Sequence, residues 1–133
     1  MAIIDWTDAE LNAKADDTAG RIDGMGIHDG DPGAAGTANE ATGGTPAYAR
    51  VDPAFAAAGV EGALGATDQP ATVGVAWGAP SFDLPAGDWT HYSFWSGATF
   101  VGSGSLPTTY SVVSDSTYAP NVGVGPGSTG SGV

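Results

Sequence analysis

Trp89-Thr90-His91-Tyr92-Ser93-Phe94-Trp95 is the stretch whose reading decides the fold. Period-2 alternation puts Trp89, His91, Ser93 and Trp95 on one face of a strand and Thr90, Tyr92 and Phe94 on the other. Both faces carry aromatic side chains, which suits a central strand with one side in the core and the other partly covered. Outward from it run short apolar or alternating segments broken by Gly, Pro, Asp and Asn: 22–28, 47–51, 71–77, 81–84, 99–101 and 109–113. Seven short strands predict an all-β chain, a sandwich or a barrel, and the expectation is a small antiparallel β-sandwich with a short N-terminal helix or arm and a flexible Gly/Ser-rich C-terminal tail.

The helix is expected over 7–19, where Thr7 can cap it, Glu10 stands three residues later and Gly20 can end it. Its apolar face is mostly alanine methyls, so residues 1–20 read as a short helix or an irregular arm lying on a partner. Residues 21–113 read as the β-sandwich domain and 114–133 as the tail, with both ends ordered by neighbours and trimmed by protease in the free chain. Tyr48, Val51, Val73, Val75, Trp77, Phe82, Trp89, Phe94, Trp95 and Val112 are expected to supply most of the core. Two long stretches, DGDPGAAGTANEATGGTP (29–46) and FAAAGVEGALGATDQP (55–70), hold almost no bulky residues and read as loops for subunit contacts.

The chain of 133 residues has 15 acidic and 3 basic side chains, a formal net charge of -12. Nucleic acid and anionic membrane are thereby expected not to be partners, because both are held chiefly by Lys and Arg. There is no cysteine, which removes disulfides, thiolate metal sites and thiol nucleophiles together. The N-terminus carries acids where a signal peptide needs positive charge, and no window has the length of a membrane span.

The chemistry-bearing residues are few. His28 and His91 are the only imidazoles, and no GxSxG elbow accompanies them, so a small hydrolase stands only as the enzyme-class alternative. Asp29, Asp31 and Glu40 fall on the first, third and twelfth positions of a calcium loop, but Gly33 and Ala34 occupy positions where that template needs an oxygen ligand and a glycine. Turn chemistry accounts for Asp29, Asp31, Pro32 and Gly33 equally well, with Asp accepting local backbone N–H groups. Exposed Trp and Tyr could form a sugar platform, but a core of Trp77, Phe82, Trp89, Phe94 and Trp95 is the simpler use of them. Arg50, alone among so many acids, is expected to pair with a carboxylate or loop carbonyls. No residue is assigned as catalytic, cofactor-binding or metal-binding.

Two segments carry a resemblance. GIHDGDPGAAGTANEATGGTPAYAR (26–50) is similar to a run in small tailed-phage proteins in which an HTADPG-like turn is followed by an NE pair, a GG and a YAR strand; Asp29-Gly30 departs from it. FDLPAGDWTHYSFWSGATFVGSGSL (82–106) resembles the same group's THxxxW strand and the glycine-containing hairpin after it. The resemblance, over about 26–113, implies a non-enzymatic virion structural protein with a β-sandwich fold, either a tail-fibre or minor tail component or a capsid decoration protein. It implies other virion proteins as partners, a homo-oligomer in the particle, and no cofactor. A carbohydrate-binding module for a host surface glycan remains the alternative.

Overall fold

The computed structural model describes residues 4–126. One helix, α1 (Asp8–Arg21), precedes seven strands: β1 (Gly24–His28), β2 (Ala76–Gly78), β3 (Phe82–Leu84), β4 (Gly87–Ser96), β5 (Thr99–Val112), β6 (Ser116–Tyr118) and β7 (Val122–Val124). All pairings are antiparallel, in a three-stranded sheet ordered β1-β4-β5 and two-stranded sheets β2-β7 and β3-β6. The fold is all-β and sandwich-like with a single short helix. No helix among the described residues is long and apolar enough to cross a membrane.

The chain divides into two compact units. The first joins α1, the 55–79 segment and β7. Thr7 caps α1, its hydroxyl oxygen accepting the Glu10 N–H at 3.2 Å. Ala15 and Ala19 are buried, and α1 packs on β2 and β7. Two polar side chains of the helix then fix the loop backbone of the same unit: Asp16 accepts the Ala58 N–H and Asn12 the Gly74 N–H, each at 2.7 Å. The segment expected as a short helix or an arm on a partner is thus a helix packed within its own unit, because small side chains let backbone come close enough for Asn and Asp to reach it. The 55–70 stretch is likewise tied internally. Fully buried Gln69 donates to the Gly78 carbonyl at 2.7 Å and accepts the Leu64 N–H at 3.1 Å.

The expected tail boundary at 114 also moves. Val122 and Val124 are buried and pair with Gly78 and Ala76, and Ser116–Tyr118 pairs with β3. Two short valine- and tyrosine-bearing strands hide among Gly and Pro there, and only 127–133 of the expected tail lies outside the described residues.

The second unit holds 22–54 and 80–120. Its heart is β4, flanked on both edges and buried at Trp89, Tyr92, Ser93, Phe94 and Trp95. The separate strands expected at 99–101 and 109–113 are one long β5, with register shifts opposite Trp89/His91 and Phe94/Trp95 that absorb the extra residues around Pro107 and Val101. An outer strand tolerates proline and glycine that a central one would not. The 47–51 run forms no strand, only a bridge from Val51 to Met25. Of the expected core, Trp77, Phe82, Trp89, Phe94 and Trp95 are buried; Val73 is 47% exposed, and Met25, Ile27, Leu84, Leu106, Val122 and Val124 take the places of the half-buried Tyr48, Val51, Val75 and Val112.

Candidate functional site

β1 and β4 run with Gly26 opposite Ser93 and His28 opposite His91. His28 and Ser93 are both fully buried. The Nδ1 atom of His28 lies 2.8 Å from the Ala38 carbonyl oxygen, which can only accept, so Nδ1 carries the proton. Nε2 is then bare and accepts the Ser93 hydroxyl at 2.7 Å, while Ser93 Oγ accepts the Trp95 Nε1–H at 2.9 Å. Burial lowers the His28 pKa below 6.5, against the Ala38 carbonyl and the nearby Glu40 carboxylate, which pull it up. The ring is held neutral.

A serine hydroxyl on a histidine nitrogen looks like a nucleophile and its base. Here the third partner is a backbone carbonyl rather than a carboxylate, the serine oxygen already receives an indole N–H, and no solvent reaches it. The arrangement locks β1, β4 and the 29–39 loop together.

Beside it lies a second, charged cluster. Glu40 takes Arg50 in a two-pronged pair, Oε2 accepting from Nε and Oε1 from Nη2, both at 2.8 Å. Tyr48 donates its hydroxyl proton to Glu40 Oε2 at 2.9 Å and accepts the Ile27 N–H at 3.0 Å. The Arg50 guanidinium sits 3.7 Å from the centre of the Trp95 ring, whose other neighbour is Phe100 with ring centres 5.3 Å apart. Burial works against the Glu40 carboxylate, but the hydrogen bonds from Arg50 and Tyr48 outweigh it, and its pKa lies below 4.5. Burial first, then the Glu40 charge, pushes the Tyr48 phenol well above its ordinary value. Gly26 makes the meeting possible. A methyl group there would stand 2.7 Å from Ser93 Oγ, 3.0 Å from Glu40 Oε2 and 3.2 Å from the Tyr48 oxygen.

The 29–39 loop is shaped to present Ala38. Asp31 Oδ1 accepts the Gly33 N–H at 2.8 Å, Asn39 donates its amide to the Asp31 carbonyl at 3.0 Å, and the Ala38 N–H reaches the Pro32 carbonyl at 3.0 Å. That is the turn reading of this segment. The calcium-loop positions are not assembled: both Glu40 oxygens are taken by Arg50 and Tyr48, and among the described residues no group of three His, Cys, Asp or Glu is placed to hold a metal.

Arg50 finds the carboxylate expected of it. His91 stays outside the lock, half-buried and 2.8 Å from the Thr90 hydroxyl. Three of the four indoles are core residues with their N–H groups satisfied nearby, Trp77 on the Pro70 carbonyl, Trp89 on Pro85 and Trp95 on Ser93, and the fourth, Trp6, is 43% exposed with the Lys14 ammonium 4.2 Å from its ring centre. A shallow pocket lined by Thr45, Pro46, Asp83, Leu84, Asp115, Ser116 and Thr117 measures about 90 Å³, well under the roughly 300–1,000 Å³ of small-molecule sites. Sequence reasoning missed the His28–Ser93 bond, which spans 65 positions. The available signal was that His28, Glu40, Tyr48, Arg50 and Trp95 all stand in the two resembling segments.

A family model described as "Podophage GP4 fiber I protein gp80" matches residues 24–121. No curated protein and no solved structure matches the chain.

Proposed function

The chain belongs to the podophage GP4 fiber I protein gp80 family, and from that premise we propose that it is a repeated fibre subunit whose contribution is shape and contact, with no receptor chemistry of its own. It is a non-enzymatic structural protein of the phage particle. The observation that supports the finer reading is the use of the chemistry-bearing side chains. His28, Glu40, Tyr48, Arg50, Ser93 and Trp95 bond to one another or to nearby backbone inside one unit, which leaves none of them aimed at a ligand. Assembly with other virion proteins follows from membership in a fibre family. Attachment to the tail rather than the head, and self-association along the fibre, belong to the proposal.

Gold-labelled antibody against this chain, imaged on purified particles, tests it. Labels confined to fibre appendages are the expected result. Labels spread evenly over the head shell would overturn the fibre assignment in favour of a capsid decoration protein.

A further inference from the structure

The β1-β4-β5 sheet has two edges, and the chain treats them differently. Along β1 the edge is sealed. Met25 exchanges both backbone bonds with Val51 at 2.7 and 3.1 Å, and the Ile27 carbonyl accepts the Ala41 N–H at 2.9 Å while its N–H goes to Tyr48. Met25 and Ile27 therefore point away from β4. Alternation in an antiparallel ladder then leaves Ser93 and His91 to bond β1, and Tyr92 and Phe94 to bond Gly104 and Gly102 of β5. By the same alternation Ser103 and Ser105 direct their N–H and C=O groups to the open side of β5. Among the described residues β5 makes no backbone hydrogen bond beyond its ladder with β4.

That open edge is also the part of the chain that another copy can approach most easily. Between Asp88 and Asp115 there is no charged residue, in a chain of net charge -12. Natural edge strands are commonly guarded by charge, by proline or by being short. β5 is long, carries no Lys, Arg, Asp or Glu, and has its one proline at 107, beyond the 99–106 stretch. Val101, 44% exposed, and the side chains of Ser103 and Ser105 stand out from this stretch.

We propose that two copies of this chain pair through β5, antiparallel and edge to edge, about a two-fold axis. The occupant is a second β5 for two reasons. The opposite edge of the same sheet is already sealed, so head-to-tail pairing of this sheet has no acceptor, and an open edge meets an open edge only in an isologous contact. The remaining surface of a copy carries the acids, so like-charge repulsion disfavours other approaches. The proposal rests on the reading of the chain as a self-associating fibre subunit and specifies the surface.

Sedimentation and native mass spectrometry of the purified full chain test it, with raised salt expected to tighten the dimer by screening the acidic copies from each other. Ser103→Pro removes one outward N–H and leaves the β4 ladder intact, a substitution an outer strand accepts. It is expected to weaken the dimer by on the order of tenfold or more. The cysteine-free background supplies a second reading that does not depend on that variant folding. Among Val101→Cys, Ser103→Cys and Ser105→Cys, at least one is expected to give a covalent dimer on mild oxidation, whereas Thr117→Cys on β6 gives none. A wild-type chain that stays monomeric, a Ser103→Pro chain that dimerises equally, or cross-linking no better from β5 than from Thr117 would overturn the proposal. Particle labelling reads the fibre assignment separately, so a labelled fibre with a monomeric chain removes only the β5 contact.

Discussion

Burying a histidine without charging it takes a partner for each ring nitrogen, and Ala38 and Ser93 provide them. A pH dependence follows. With its folded pKa below 6.5, His28 stays neutral where the unfolded chain has already bound a proton. Its contribution to stability is complete above 6.5 and falls as pH drops from there through the lowered folded value. Glu40 acts in the same sense further down, its contribution present above 4.5 and lost as pH falls through its depressed folded value. Thermal melts at about pH 7.5 and about pH 5.5 should show wild type losing stability with acid and His28→Gln losing clearly less. Equal losses in the two proteins would mean that His28 is not the group responsible.

At the scale of elements, β1 and β4 approach closely because Gly26 lets Ser93, Glu40 and Tyr48 share one spot. Gly26→Ala pushes a methyl into those three oxygens and should cost about 1–3 kcal/mol in chemical denaturation. Gly20→Ala in α1, where a methyl meets open space, should cost nothing and serves as its control. Equal denaturation midpoints for both variants would show that the approach at Gly26 is not tight. The alternation of 89–95 was enough to find β4 and its covering on both sides, and Thr7 with Glu10 was enough to find α1 within two residues at its end. β5 was legible only in pieces, since Gly102, Gly104 and Pro107 read as breaks, and an outer strand with bulges absorbs all three. β6 and β7 were illegible because three-residue strands take their stability from the partner rather than from their own pattern.

For the whole molecule, the side-chain chemistry of the two resembling segments goes into holding the fold. Arg50 needed a carboxylate, which its isolation among acids announced, but nothing in the sequence says that Glu40 is the one or that Trp95 lies beneath the guanidinium. Contacts between 26–50 and 93–95 exist only after β1 pairs with β4, so the two resembling segments could be seen but their meeting could not. The central claim is that the residues of those segments build the domain of a phage structural protein and do not act on a ligand. The thermal stability of Glu40→Gln at neutral pH tests this most directly, because the substitution keeps the size of the side chain and strips the charge that Arg50 and Tyr48 hold. A loss of about 2 kcal/mol is expected, a melting point lower by roughly 6 °C. A Glu40→Gln chain that melts with wild type while particles carrying it fail to adsorb to the host would contradict the account, because Glu40 would then be serving a ligand and not the fold.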